Sequence, residues 1–161
     1  MKKILVLYYS RTGITKKLAT FIGDVLDADI EEIVDTKNRS GVMWYIMAGR
    51  DAALKRQTKI QNIIHDTSTY DVVCMWTPVR DFTMAAAMRT YLTTHEKNLP
   101  TSLVFFCTQA SSWAENTFQE MANIVGKSPL MTIVCSSKEV ARDSYQEQVK
   151  KQLEIAWLLV F

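Results

Sequence analysis

Short apolar runs, rich in β-branched and aromatic residues, recur at five places along the chain. They cover residues 3–9, 29–34, 72–77, 103–108 and 131–135. The first, third and fourth runs are almost continuously apolar, which is typical of strands covered on both faces of a sheet. Their lengths, and the polar segments that separate them, predict five β-strands.

Between and after these runs, apolar residues follow the helical period and form four stripes. The stripes comprise Leu18, Ile22, Val25 and Leu26; Met84, Ala87, Met88, Tyr91 and Leu92; Phe118, Met121, Ala122 and Val125; and Val149, Leu153, Ala156, Trp157 and Val160. Gly126 follows the third stripe, with Pro129 just beyond it, which indicates a helix end. We therefore expect an α/β fold, a doubly wound five-stranded parallel sheet of order 2-1-3-4-5 between two helical layers.

The segment between residues 35 and 70 fits this alternation less well. A helix is predicted over about residues 41–56, followed by a polar loop. Its apolar residues crowd together at positions 42–47 without a clean stripe. The crowding suits a cap on the sheet or a partner surface, and the sequence leaves both open.

Composition narrows the class of protein without changing the fold prediction. The 161 residues are 48 % apolar and 22 % charged, carry a net charge of +2, and suit one domain over residues 1–161. No stretch approaches the roughly 20 apolar residues of a membrane span. Nucleic-acid binding has no support, since no Lys/Arg cluster alternates with aromatic residues. Three cysteines without close spacing argue against disulfides or a zinc site. The first apolar run has no signal-peptide cleavage site, so we expect a cytoplasmic protein.

The loop after the first predicted strand carries the strongest chemical signal. It comprises Ser10, Arg11, Thr12, Gly13, Ile14 and Thr15, and a helix is predicted to begin near Gly13. Hydroxyl groups at a helix N-terminus make an anion site, because backbone N–H groups point outwards there and the helix dipole favours negative charge. Glycine lets the backbone approach a phosphate closely. The simpler alternative, capping of the helix by Thr12, needs one hydroxyl where the loop has three.

This loop, together with the apolar strand before it, resembles the phosphate-loop signature of flavodoxins, Ser/Thr-x-Thr-Gly-x-Thr. The resemblance implies a flavodoxin-like fold whose loop binds the phosphate of flavin mononucleotide (FMN). The contacts it implies come from the side chains of Ser10, Thr12 and Thr15 and the amides of Arg11, Gly13 and Ile14. Other anion-binding folds fit less well, since the sequence has no Walker motif, no three-glycine dinucleotide fingerprint and no cysteine in this loop.

The resemblance extends to the loops after the third and fourth predicted strands, which flank the flavin ring in that family. The second loop comprises Thr77, Pro78, Val79, Arg80, Asp81 and Phe82, and the third comprises Thr108, Gln109, Ala110, Ser111, Ser112 and Trp113. Pro78 is expected to stop strand pairing. Phe82 and Trp113 are candidates for covering the ring. The alternatives are a helix-entry contact for Phe82 and packing on its own helix for Trp113.

Other reactive side chains lie outside these loops or have no partner in view. His65 and His95 are predicted to be surface residues rather than acid–base catalysts. Cys107, close to the third loop, is predicted to be a small buried hydrophobic residue. Glu31 and its neighbour are assigned no chemistry.

An FMN-binding flavoprotein of this kind has two electron-transfer roles open to it. One is a flavodoxin-type carrier that serves a redox partner protein. The other is an NAD(P)H-dependent reductase of a quinone or a similar small-molecule acceptor, so it stays open whether the chain is an enzyme. The charge of +2 weakens the carrier interpretation, because dedicated carriers of the family are usually acidic. A flavodoxin-like binding module that has lost flavin is the alternative from another class, and a homodimer is also open.

Overall fold

The computed structural model describes residues 2–36, 56–80, 82–110 and 112–160. Within them one sheet contains β1 (Ile4–Tyr8), β2 (Asp29–Glu32), β3 (Val72–Arg80), β4 (Thr83–Met84), β5 (Ser102–Gln109) and β6 (Met131–Ser136). Five of these strands run parallel in the order β2-β1-β3-β5-β6, and β4 pairs antiparallel with the end of β3. The predicted order 2-1-3-4-5 is confirmed, and β4 is an addition to it.

Helices cover both faces of this sheet. The described residues form α1 (Ile14–Leu26), α2 (Ala86–His95), α3 (Ala114–Val125), α4 (Ser137–Ala141) and α5 (Gln146–Val160). The side chains of α2 and α3 enter one hydrophobic cluster and those of α1 and α5 enter another. The predicted α/β class and its three layers are confirmed, whereas the short helix α4 was not predicted.

The central strands divide their side chains between the two layers. Leu5, Leu7 and Met75 pack with α2 and α3. Val6 and Trp76 pack with α1 and α5 on the opposite face, because successive side chains of a strand point to opposite sides. Both faces of β1 and β3 are therefore buried, which is why their sequences are continuously apolar rather than alternating.

Pro78 does not end the third strand, so that prediction is wrong. β3 continues to Arg80, and Pro78 lies opposite Thr108 of β5. The Trp76 carbonyl faces β1, where it accepts the N–H of Tyr9. Pro78, two residues later, turns its backbone to the same side, beyond the end of β1. Its missing N–H therefore leaves no gap in the ladder.

The second helix begins later than its apolar stripe predicts. Met84 lies in β4, opposite Val79, and α2 begins only at Ala86. Met84 is nevertheless fully buried in the cluster that contains α2 and α3. The stripe therefore predicted the burial of Met84 correctly but its secondary structure wrongly.

The predicted helix over residues 41–56, with its apolar positions 42–47, lies outside the described residues except at its last position. The chain on either side of it is joined by antiparallel backbone contacts, in which the N–H of Thr36 donates to the carbonyl of Lys59 (2.9 Å). Among the helices that are described, none is both long enough and apolar enough to cross a membrane.

Candidate functional site

The carboxyl ends of β1, β3 and β5 meet at one edge of the sheet, because the three strands are parallel neighbours. A cavity of about 160 Å³ lies between the loops that leave these ends. Its lining comes from all three predicted loops and from the start of α4: Arg11, Thr12, Ile14, Thr15, Pro78, Val79, Thr108, Ala110 and Ser137. The fold thus brings together the three loops that the sequence singles out.

Gly13 shapes the entry to α1. Its φ of 86° lies in the left-handed region, which favours glycine, and it caps the helix without a side-chain hydrogen bond. Capping by Thr12 is therefore not what the structure shows. The N–H of Gly13 donates to Oγ of Ser10 (3.1 Å). Thr12 is exposed, and the residues that the structure describes leave its hydroxyl without a hydrogen bond.

The first turn of α1 presents backbone donors beside the cavity. Ile14 and Thr15 begin the helix and line the cavity, and the first N–H groups of an α-helix have no acceptor within the helix. This turn contains no acidic side chain, so nothing within it offsets the positive end of the helix dipole. Arg11 lines the same space. The arrangement suits an anion.

A buried pair of hydroxyls joins the first and third loops. Thr15 and Thr108 are both buried, and their Oγ1 atoms lie 3.0 Å apart in a hydrogen bond. One hydroxyl donates, so the other still has a proton to offer elsewhere. The two residues were predicted from separate motifs. Their contact joins the first and third loops at the carboxyl edge of the sheet.

The second loop is a tight β3–β4 turn rather than an open loop. Thr77 is fully buried and holds the turn, because its hydroxyl accepts the N–H of Ala85 (3.1 Å) and donates to the carbonyl of Pro78 (3.2 Å). Pro78 and Val79 line the cavity. Arg80 pairs with Thr83 through its backbone, and Asp81 lies outside the described residues.

The third loop contributes a small residue to the lining of the cavity. Ala110 lines the cavity, Ser112 is exposed, and Ser111 lies outside the described residues. Oε1 of Gln109 is buried and finds no hydrogen-bond donor among the described residues. A buried polar atom without a partner is costly, but Gln109 is not in the described lining of the cavity, so the structure does not assign this oxygen to the site.

Ser137 lines the cavity but was not predicted. It follows β6 at the first residue of α4, at the same edge of the sheet as the three predicted loops. The rule that ligands bind beyond the carboxyl ends of parallel strands applies to the fifth parallel strand as well. Extending that rule to β6 would have found this residue.

Phe82 and Trp113 contact each other at the rim of this edge. Their ring centroids lie 4.7 Å apart with an interplanar angle of 82°, which is an edge-to-face pair. The side chains remain 56 % and 52 % exposed. Both residues have left-handed backbones, with φ of 73° and 84°, a conformation that large side chains rarely adopt. Strain and exposure together are typical of functional positions.

Comparison with known sequences identifies the family. A sequence model of the flavodoxin family matches residues 3–154, nearly the whole chain. The chain belongs to the flavodoxin family. This match confirms the resemblance inferred from the phosphate loop. A separate search of curated proteins found no match to the sequence.

Solved structures share the flavodoxin fold. A Lactobacillus acidophilus flavoprotein in complex with FMN is 22 % identical, with a TM-score of 0.72 over 88 % of this chain and 98 % of that one. The apo-form of a flavoprotein from the same organism is 25 % identical, with a TM-score of 0.60 over 88 % and 96 %. Two-electron reduced Megasphaera elsdenii flavodoxin is 17 % identical, with a TM-score of 0.52 over 81 % and 85 %. The likeness establishes the architecture of this flavodoxin-family chain.

The left-handed backbone of Trp113 leads to a prediction about stability. Trp113 is the N-cap of α3, a position and a φ angle that both favour glycine over alanine. We expect Trp113→Gly to be more stable to unfolding than Trp113→Ala by about 1 kcal/mol. For a domain of this size the melting temperatures should differ by roughly 2–4 °C. Equal or reversed melting temperatures would show that the left-handed backbone is not retained.

The two histidines have partners that the sequence did not reveal. Nδ1 of His65 lies 2.7 Å from Oε2 of Glu31, a buried carboxylate that also accepts the backbone N–H of His65 (2.8 Å). His95 stacks on Tyr91 with ring centroids 4.4 Å apart. Both histidines are half-buried rather than free on the surface, and they line a cavity of about 180 Å³.

Cavity size alone does not locate the site of this flavodoxin-family chain. The largest of the cavities described here, about 490 Å³, lies between α1 and α5 and is lined by Val25, Leu26, Lys150, Leu153 and Glu154. Neither it nor the cavity at the histidines contains a residue from the three predicted loops in its described lining. The smaller cavity at the carboxyl ends of the strands, by contrast, is lined by hydroxyl-bearing side chains and by the first turn of α1.

Cys107 is placed as predicted, inside the sheet rather than at the site. Its side chain is fully buried, and this burial raises the pKa of the thiol to about 12. The thiol therefore stays protonated near neutral pH, and a protonated thiol is a poor nucleophile. Cys107 supplies packing, not redox chemistry.

Proposed function

We propose that the chain binds FMN at the carboxyl edge of the sheet and transfers electrons through it. The observation that carries this proposal is the cavity in which the hydroxyl-rich first loop, the start of α1 and the two following loops meet. The FMN complex of the Lactobacillus acidophilus flavoprotein, which shares the fold, supports it.

The residues present fit the group. Thr12 has an exposed hydroxyl without a described partner, and Gly13 has open space where a side chain would project. Thr15 and Thr108 add two hydroxyls to the lining of the same cavity. The phosphate would thus find hydroxyl groups and helix N–H donors at this edge of the sheet.

Each loop then has a distinct task. Thr12, Thr15 and the first N–H groups of α1 would hold the phosphate, with the positive end of the helix dipole facing it. The second and third loops would flank the ring, with Phe82 and Trp113 at its rim. Bound FMN supplies one- or two-electron chemistry, and the protein supplies binding, orientation and electrostatics.

The charge around the site bears on the partner that the flavin would serve. The three loops contain one acid, Asp81, and two bases, Arg11 and Arg80, in a chain with a net charge of +2. An acidic surround makes the reduced, anionic flavin unfavourable through like-charge repulsion, and these loops offer little of it. We therefore propose two alternative roles of equal weight. One is a reductase of a quinone or a similar small molecule, and the other is a carrier for a redox partner protein.

A two-step experiment tests the proposal. Apoprotein titrated with FMN should form a yellow one-to-one complex, and riboflavin, which lacks the phosphate, should bind far more weakly. The loaded protein is then supplied with NADH or NADPH and a quinone. Steady turnover identifies a reductase, and its absence favours a carrier. A colourless protein that does not take up FMN would contradict the proposal and identify a binding module.

A further inference from the structure

Two side chains of α3, one helical turn apart, hold the β3–β4 turn in place. Nδ2 of Asn116 donates a hydrogen bond to the carbonyl of Phe82 (2.6 Å). The carboxylate of Glu120 accepts a hydrogen bond from the hydroxyl of Thr83. Residues four apart lie on the same face of a helix, so one face of α3 contacts two consecutive residues of the turn.

The Glu120 contact belongs to a buried network. Arg89 of α2 is 5 % exposed, and its guanidinium lies 3.1 Å from Oε1 of Glu120 and 2.8 Å from Oγ1 of Thr83. The Thr83 hydroxyl thus accepts from Arg89 while it donates to Glu120. Three elements, α2, α3 and β4, are joined at one point.

The turn held in this way contains the strained aromatic residue. Phe82 has a φ of 73°, and its carbonyl is the atom that Asn116 binds. The same helix begins directly after Trp113, whose ring contacts Phe82. Helix α3 therefore carries one aromatic of the rim on its N-terminus and fixes the other through its side chains.

We infer that Asn116 and Glu120 are positioning residues that set the affinity for the flavin ring by holding Phe82 against Trp113. The inference rests on the proposed function. Neither residue is in the lining of the cavity at the phosphate loop. Their effect falls on the ring-flanking loops and leaves the phosphate contacts unchanged.

Asn116→Ala is the decisive variant, because Asn116 is exposed and its loss should not unfold the chain. We expect the dissociation constants of FMN and riboflavin to rise by the same factor, about three- to tenfold, since one hydrogen bond is lost. Asn116→Asp keeps the shape but cannot donate, and it should behave like Asn116→Ala. Gln119→Ala is the matched control, because the Gln119 amide is also exposed on α3 but bonds Asn123 on the same helix (3.1 Å).

A double-mutant cycle shows whether the effect passes through Phe82. In a Phe82→Ala background, Asn116→Ala should have no further effect on flavin affinity, whereas a general structural role would be additive. Near-ultraviolet circular dichroism of the apoprotein should also change in Asn116→Ala and not in Gln119→Ala, because the Phe82–Trp113 pair is displaced.

The outcomes separate the two proposals. A parent protein that binds no flavin overturns the proposed function and this inference with it. A parent that binds FMN while Asn116→Ala binds as tightly as Gln119→Ala overturns the inference alone. A loss confined to FMN, with riboflavin unaffected, would also overturn it, because the phosphate and not the ring would then be sensitive to Asn116.

Discussion

Thr12→Val and Thr15→Val should each weaken FMN binding by roughly ten- to a hundredfold, because a hydrogen bond to a charged group contributes about 1.5–3 kcal/mol. Thr12 presents an exposed hydroxyl without a described partner, and Thr15 lines the cavity at the first turn of α1. Valine keeps the branched shape and removes only the hydroxyl. Isothermal titration of apoprotein with FMN measures the change.

Riboflavin separates a phosphate contact from a general defect. It lacks the phosphate, so neither variant should change its affinity by more than about twofold. Thr20→Val is the matched control, because Thr20 is an exposed threonine on the same helix, outside the first loop. If both loop variants bind FMN like Thr20→Val, the phosphate does not lie at this loop.

Thr15 needs one further comparison, since its hydroxyl also bonds Thr108. Thr15→Val leaves a buried hydroxyl on Thr108 without its partner, which costs about 1–3 kcal/mol of stability. Thr108→Val breaks the same bond but keeps the hydroxyl of Thr15. A larger loss of FMN affinity in Thr15→Val than in Thr108→Val, at equal loss of stability, isolates the phosphate contact.

The parts of the fold that the sequence predicts best are those that depend on burial alone. β1, β3 and β5 are covered on both faces, so their sequences are continuously apolar and the sequence locates each of them, although β3 runs three residues beyond its predicted end. β2 is an edge strand and ends at Glu32, two residues before the predicted end. At an edge, hydrophobicity no longer marks where pairing stops.

The geometry of the second loop could not be predicted, because contacts distant in sequence stabilise it. The two residues of β4 have little pairing energy of their own, and Glu120 and Asn116 hold the turn from α3. Local propensity would place glycine at a left-handed position, whereas the chain has Phe82 and Trp113 there. A rule-based prediction fails where tertiary contacts compensate for local strain.

The candidate site likewise has one part that the sequence predicts and another that depends on contacts between distant residues. The first loop is recognisable because hydroxyls, glycine and a helix start lie together in the sequence. The bond between Thr15 and Thr108 joins residues 93 positions apart, so no local pattern reveals it. Arg89 lies among the apolar residues of the second stripe, and only the fold brings Glu120 to it.

Arg89→Met or Glu120→Gln alone should lower the free energy of unfolding by about 3–5 kcal/mol, because each leaves a buried charge without its partner. Nη2 of Arg89 donates a hydrogen bond to Oε2 of Glu120 (3.1 Å), and both side chains are largely excluded from solvent. Urea unfolding measures the loss, and the melting temperature should fall by roughly 6–20 °C. Lys17→Met is the control, because Lys17 pairs with Asp143 at 2.6 Å on the surface, and its loss should cost at most about 1 kcal/mol.

The double variant Arg89→Met with Glu120→Met should recover most of that stability, because a buried ion pair can be replaced by apolar side chains at little net cost. It would keep the fold but leave the hydroxyl of Thr83 without either partner. We therefore expect a folded protein whose affinities for FMN and riboflavin fall together, as with Asn116→Ala. A double variant as stable as the parent and with parental flavin affinity would show that the network has no part in placing Phe82. A double variant less stable than either single change would show that Arg89 and Glu120 have separate partners rather than depending on each other.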